Sequence, residues 1–241
     1  VTERFALDLA RAISTMLANS GRVIVGSDYR TTSAELRATL LGGLMGEGIN
    51  ALDAGFLPTP VLAFGARYER AEAGIMVTAS HNPPEDNGMK CYTHDGREYV
   101  PEEEQIIEQL ISEAHFTTVA WNQMGALAKS SDVTNAYFER LLDRVKLFQR
   151  RLRVVVDCAN GTAYNLTPLL LSQIGCEVIS LNAQPDVRFP GRPAEPNPTN
   201  LVKACQFVRS VKADLGLAHD GDGDRLAVID EKGRYVNNDT L

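Results

Sequence analysis

Short runs of consecutive apolar residues, each closed by a polar turn, alternate along this chain with stretches whose apolar residues recur every three or four positions. Phe5, Leu9, Ile13, Met16 and Leu17 lie at helical spacing and predict a helix over residues 4–18. Arg22-Val-Ile-Val-Gly26 then reads as a strand. Thr32 with Glu35 forms a capping-box pattern opening a helix that ends near Gly46 to Gly48. Ile49 to Leu52 predicts a second strand, and Pro58-Thr-Pro60 starts another helix with proline near its first turn. Ala73-Gly-Ile-Met-Val77 is apolar throughout and predicts a short buried strand, followed by Met89 to Tyr92 and a turn at Asp95-Gly96. Pro101 with Glu102, Glu103 and Glu104 opens a helix reaching about Glu113, the acids suiting its positive N-terminus.

Periodicity fades over 115–131, which reads as a linker, and a helix is expected over about 132–148. The opening pattern then repeats. Arg153-Val-Val-Val-Asp157 matches Arg22-Val-Ile-Val, and each is followed by a loop, a helix and a Gly-led strand at Gly48-Ile49 and Gly175-Cys176. Five of the eleven prolines fall between Pro185 and Pro198, marking an ordered loop or a lid. A helix over Thr199 to Val211 and a strand over Ala213 to Ala218 come next. Leu226 to Asp230 and Arg234 to Val236, joined through Lys232-Gly233, predict a hairpin. Strands alternating with helices give an α/β fold of two similar three-layer domains, each with a mixed, mostly parallel sheet between helices. The expected domains are 1–148 and 149–241.

With 241 residues, 44% hydrophobic and 23% charged, the chain can bury a real core in each domain. A net charge of −7 argues against non-specific nucleic-acid binding and favours a small ligand handled with a metal. No apolar run is long enough to span a membrane, and no charged-then-apolar leader opens the sequence. Cys91, Cys158, Cys176 and Cys205 are widely spaced, which suits a reducing, cytoplasmic compartment. A helix starting almost at Val1 and a stop at Leu241 without a turn suggest a fragment.

Two polar stretches carry the chemistry. At Thr78-Ala-Ser-His-Asn-Pro83 a strand runs into prolines that cannot continue a ladder, leaving a hydroxyl, an imidazole and an amide together at a strand end. Strand ends of this kind bind ligands in α/β proteins, although a plain polar turn has the same appearance. At Asp220-Gly-Asp-Gly-Asp-Arg225 the glycines let the backbone coil so that Asp220, Asp222 and Asp224 converge. Three carboxylates so placed repel one another unless a cation sits among them, and an all-oxygen set suits Mg²⁺ or Ca²⁺ better than zinc. A calcium-binding EF-hand loop is excluded because Arg225 replaces its glycine and a strand follows at Leu226. An aspartyl-phosphate hydrolase with Asp220 as nucleophile, and a solvated acidic turn, stay open. Arg225 adds a guanidinium able to fork onto phosphate oxygens, which points to phosphoryl transfer.

Thr78 to Pro83 with Asn87-Gly-Met-Lys90, and Asp220 to Arg225, closely resemble the α-D-phosphohexomutase superfamily of phosphoglucomutases, phosphomannomutases and phosphoglucosamine mutases. The likeness extends to Gly26-x-Asp28-x-Arg30, Pro58-Thr-Pro60, Val156 to Gly161 and Glu195-Pro-Asn-Pro198. It implies a phosphoserine at Ser80, whose oxygen completes a Mg²⁺ site made by Asp220, Asp222 and Asp224. The phosphoryl group then passes to a hexose phosphate through a hexose 1,6-bisphosphate intermediate. By the same resemblance Arg225 stabilises transferring charge, and His81 and Lys90 match the positions for proton transfer. His81 can equally be a hydrogen-bonding support, and Lys90 an electrostatic partner of the phosphate. The resemblance further implies small-molecule hexose phosphates as partners and an absent strand, with its phosphate-binding loop, before Val1. It also implies two absent domains that read the sugar and grip the distal phosphate, so the isolated chain is expected to be nearly inert. Ser27 stands where many relatives carry Lys or Arg. The alternatives are a Mg²⁺-dependent phosphatase of the aspartate-nucleophile type and a non-catalytic phosphosugar- or metal-binding module. The particular sugar and the oligomeric state are not readable from these residues.

Overall fold

The computed structural model describes residues 1–145 and 150–237 and divides into two compact units. The first comprises Val1–Thr78 and Asp86–Val133; the second comprises Ala79–Glu85 and the chain from Thr134 onward. The expected domain junction at 148/149 and the end of the helix expected over 132–148 lie outside the described residues. Within the described residues that helix, α5, covers Val133–Leu142. No described helix is long and apolar enough to cross a membrane.

In the first unit the order is α1 (Glu3–Met16), β1 (Arg22–Ser27), α2 (Ser33–Gly46), β2 (Asn50–Phe56), α3 (Thr59–Tyr68), β3 (Ala73–Val77), β4 (Met89–Thr93), α4 (Pro101–Ser112) and β5 (Leu127–Lys129). The sheet order is β4-β3-β1-β2-β5, with only β4 antiparallel. Successive strand residues face opposite layers, so a strand covered on both sides reads as continuously apolar. Val23 and Val25 of β1 and Ile75 and Val77 of β3 join the apolar faces of α1, α2 and α4. Ile24 points the other way, against Gly65 of α3.

Thr32 does not cap α2 with its side chain: its backbone is already helical (φ −86°, ψ −6°), whereas a capping hydroxyl needs extended geometry. Its Oγ1 instead accepts from Asn87 Nδ2 at 2.9 Å. The stretch 115–131 is also more than a linker. It contains a short 3₁₀ turn at Trp121–Gln123 and then β5, which pairs in parallel with β2 through Ala51, Leu52 and Asp53. An edge strand of three exposed residues needs no apolar alternation, so the pattern is silent there.

The second unit repeats the plan with β6 (Arg153–Asp157), α6 (Thr167–Gln173), β7 (Glu177–Leu181), α7 (Val202–Ser210), β8 (Leu215–His219), β9 (Leu226–Ile229) and β10 (Tyr235–Val236). The order is β10-β9-β8-β6-β7, with β6 parallel to both β7 and β8. β9 and β10 form the antiparallel hairpin expected from the sequence. Val155 packs toward α7 with Ala204 and Val208, while Val154 and Val156 pack toward α6 with Ile174 and Leu171.

The first unit fixes the two points from which residues 79–85 depart. Asp28, just past β1, accepts from Arg30 N (3.0 Å) and Ser33 Oγ (2.6 Å) on one oxygen. Its other oxygen accepts from Arg30 Nε (3.0 Å) and Thr78 Oγ1 (2.8 Å). Arg30 Nη1 donates to the carbonyl of Asp86 at 3.0 Å, and Thr78 N donates to that of Gly88 at 2.9 Å. Asp28 and Arg30 are almost wholly buried. Removing one partner of a buried ion pair leaves the other charge without compensation. Arg30→Met is therefore expected to destabilise the first unit by about 3–5 kcal/mol, read from its urea unfolding transition; an unchanged midpoint would contradict this role.

Candidate active site

β8 ends at His219, and the chain then turns through Asp220 to Arg225 before re-entering the sheet as β9. Backbone and side chains staple this loop shut. His219 Nδ1 lies 3.2 Å from the carbonyl of Arg225, an acceptor only, so that nitrogen carries the proton. His219 Nε2 accordingly accepts from Thr167 Oγ1 at 2.9 Å. Burial holds the imidazole neutral, with a pKa lowered to about 4. Asp220 Oδ1 accepts from Gly223 N (3.1 Å) and Arg225 N (3.2 Å), and the Gly221 carbonyl accepts from Thr162 N at 3.0 Å.

A second buried ion pair supports the loop from below. Asp157, at the end of β6, accepts from Ala159 N (3.0 Å), Asn182 Nδ2 (3.0 Å) and Arg192 Nε (2.9 Å). Arg192 also donates to the carbonyl of His219, the residue before Asp220. The Pro-rich stretch 185–198, which forms no helix or strand, supplies this arginine and so acts as a brace for the acidic loop.

Asp220, Asp222 and Asp224 each turn a carboxylate oxygen into one cluster, with all three oxygens within 4.8 Å of one another. Asp220 and Asp222 are fully buried, while Asp224 faces solvent. Burial first, and then the charge of Asp222, push the Asp220 carboxyl up to about 8. Three hard anionic oxygens at this spacing are a donor set for a divalent cation of the Mg²⁺ or Ca²⁺ type.

Ser80 stands directly on this cluster: its Oγ donates to Asp220 Oδ2 at 2.7 Å. It is buried, and its backbone is left-handed (φ +51°), a conformation that costs a non-glycine residue about 1–2 kcal/mol. Such strain is found where a side chain must be aimed. Gly221 permits the approach, since a Cβ there would lie 2.7 Å from the Ser80 carbonyl and 3.2 Å from the Phe189 ring. His81 Nδ1 lies 3.3 Å from Ser80 Oγ, and His81 Nε2 lies 3.4 Å from Glu195 Oε2. Arg225 Nη1 reaches the same Glu195 carboxylate at 3.2 Å.

The second unit thus gathers Ser80, His81, Asp220, Asp222, Asp224 and Arg225, while Lys90 lies on β4 of the first unit, paired with Met76. The local pattern around Asp157, Arg192, Glu195 and His219 gives none of them a role by itself. Val156 to Gly161 and Glu195 to Pro198 were visible as motifs, but only the folded chain gives them partners. Ser27 is buried beneath Arg37, whose Nη1 donates to its hydroxyl at 2.5 Å, so a neighbouring helix brings a cation to that position.

Residues 1–118 match the family described as phosphoglucomutase/phosphomannomutase, alpha/beta/alpha domain I, and residues 135–233 match its alpha/beta/alpha domain II. The chain is 43% identical over 241 residues to a Methanopyrus kandleri protein named "Probable phosphoglucosamine mutase", covering 100% of this chain and 53% of that protein. It is 41% identical over 241 residues to the phosphopentomutase of Thermococcus kodakarensis, covering 100% of this chain and 52% of that protein. The crystal structure of a phosphoglucomutase/phosphomannomutase family protein from Burkholderia thailandensis superposes with a TM-score of 0.90 at 32% identity, over 99% of this chain and 53% of that one. The chain spans about half the length of the curated relatives it matches.

Because the Asp220 carboxyl is raised from 3.8 to about 8, the folded chain binds a proton there that the unfolded chain has released. Stability contributed by this group is therefore present below about pH 4 and lost as pH rises through about 8. With a chelator present, the urea midpoint is expected to fall between about pH 5 and pH 8, and Asp220→Asn is expected to flatten that fall. Equal pH dependence in the two proteins would contradict the assignment.

Proposed function

Because this chain belongs to the phosphoglucomutase/phosphomannomutase family, we propose that it is the catalytic half of a sugar-phosphate mutase that carries a phosphoryl group on Ser80. The observation that carries this reading is the Ser80 hydroxyl resting 2.7 Å from Asp220 within a three-carboxylate cluster. Asp220, Asp222 and Asp224 would hold Mg²⁺. Bound there, the ion would relieve the carboxylate repulsion and neutralise charge on the transferring phosphoryl oxygens.

In the forward step the Ser80 Oγ–P bond breaks as a bond forms between phosphorus and a sugar hydroxyl oxygen. The sugar hydroxyl gives its proton to a base, Ser80 Oγ takes up a proton to become a hydroxyl, and a bisphosphate results. In the return step the bond between the second phosphate and its sugar oxygen breaks as one forms to Ser80 Oγ. The freed sugar oxygen is protonated, and the serine's proton passes to an adjacent acceptor. His81 Nδ1, 3.3 Å from Oγ, would take that proton. Lys90 is the second candidate for proton transfer or for charge compensation at the phosphate. Arg225 supplies a fixed positive charge beside the acidic loop.

The substrates are proposed to be hexose phosphates. Relatives of nearly equal identity are named for glucosamine phosphate and for pentose phosphate, so similarity over this half of the relatives' length does not choose the sugar. A cytoplasmic setting suits the four free cysteines. The aspartate-nucleophile phosphatase reading is not favoured: the relatives named above are mutases, and that reading gives the Ser80 hydroxyl, 2.7 Å from Asp220 Oδ2, no task.

Incubated with glucose 1,6-bisphosphate and Mg²⁺, the chain is expected to gain one phosphoryl group by intact mass, and Ser80→Ala or a chelator should abolish the gain. Phosphorylation that survives in Ser80→Ala and disappears in Asp220→Asn would transfer the assignment to the phosphatase class. Steady-state turnover by the chain alone is expected to be at least ~100-fold below that of a full-length relative, since remote binding groups that orient the substrate contribute several kcal/mol. Equal turnover would contradict the proposal that the site is only half of the enzyme.

A further inference from the structure

We propose that Glu195 is a positioning residue of this site, setting the ring orientation and tautomer of His81 and the direction of the Arg225 guanidinium. Its purpose rests on the mutase reading, whereas its geometry does not. All of the groups concerned belong to the second unit.

The backbone that carries Glu195 is pinned on both sides. The carbonyl of Ala194 accepts from Arg192 Nη1 at 3.1 Å, and Arg192 is itself buried against Asp157. The carbonyl of Glu195 accepts from Asn197 N at 3.0 Å and from Asn200 Nδ2 at 2.9 Å. A carboxylate delivered by a backbone held in this way has a defined direction, unlike that of an ordinary surface glutamate. An exposed Arg–Glu pair by itself adds little to stability, so stability alone does not account for the arrangement.

The carboxylate meets two groups at once. It accepts from Arg225 Nη1 at 3.2 and 3.4 Å, and Oε2 lies 3.4 Å from His81 Nε2. An imidazole nitrogen facing a carboxylate keeps its hydrogen, which leaves the other nitrogen with a free lone pair. Here that other nitrogen is Nδ1, 3.3 Å from Ser80 Oγ. A continuous path results, from Glu195 through His81 to Ser80 and on to Asp220, in which the Ser80 hydroxyl hydrogen stands between two acceptors. With Asp220 committed to a cation, His81 is the acceptor that remains. Glu195 decides whether its receptive nitrogen faces the serine. The same carboxylate that meets His81 also receives the Arg225 guanidinium, so one residue orients both side chains.

The test uses the whole chain, labelled with ¹⁵N. The chain contains four histidines, so the ring nitrogens of His81 can be assigned by their loss in His81→Asn. Wild-type His81 is expected as the Nε2–H tautomer, and Glu195→Ala is expected to shift it toward Nδ1–H. Loading of Ser80 from glucose 1,6-bisphosphate should slow about tenfold in Glu195→Ala, the order found when a group orienting a functional histidine is lost. The bisphosphate concentration for half-maximal rate should change less than about twofold. Glu195→Asp, which retains the charge, should recover most of the rate, and unchanged urea midpoints would show that both variants are folded. An unaltered His81 tautomer in Glu195→Ala overturns the proposal whatever the rate. A wild-type chain that takes no phosphoryl group overturns the mutase reading, and the tautomer comparison still decides the hold of Glu195 on His81.

Discussion

Mutual repulsion among Asp220, Asp222 and Asp224 is the constraint to which the second unit is built. Two of these carboxylates are fully buried within 4.8 Å of a third, an arrangement that opposes folding in the absence of a cation. The surroundings answer it locally. Two loop N–H groups and the Ser80 hydroxyl donate to Asp220, and a neutral His219 closes the loop onto the Arg225 carbonyl. The residual strain appears as a carboxyl that keeps its proton to about pH 8. Such a cluster suits a divalent ion, which would remove the penalty that the fold retains.

Both units solve the placement of a functional loop in the same way. An aspartate at the C-terminal end of the strand that opens each repeat, Asp28 after β1 and Asp157 on β6, pairs with a buried arginine, Arg30 or Arg192. Each arginine spends a remaining donor on a backbone carbonyl at the root of a loop that holds candidate site residues: Asp86 in one case, His219 in the other. The repeat of Arg22-Val-Ile-Val at Arg153-Val-Val-Val is the sequence trace of this shared plan. Parallel strands converge their C-terminal ends on one sheet edge, and loops at that edge require fixed anchors because no ladder holds them.

Much of this plan can be read from residue pattern alone. Buried strands such as Ala73–Val77 and Arg153–Asp157 stand out because both faces are covered, and the helices follow from their apolar spacing. The failures have physical causes. β5 is a three-residue exposed edge that owes its strand character to β2, so its own residues carry no signal. Thr32 has the composition of a capping residue, but Asn87, 55 positions away, claims its hydroxyl. Arg192 and Glu195 lie in a Pro-rich stretch without periodicity, where nothing local distinguishes a brace from a surface charge.

The spacing of Asp220, Asp222 and Asp224 between two glycines determined by itself that three carboxylates converge, because adjacent chain geometry suffices to bring them together. The prolines after Ser80 likewise determined that a polar turn ends β3. Only the tertiary structure decided that the Ser80 hydroxyl rests on Asp220, 140 residues away, and that Glu195 joins His81 to Arg225. Local rules act over a few residues, whereas these contacts depend on where whole strands end and on buried arginines that find their carbonyls only after the sheets have formed.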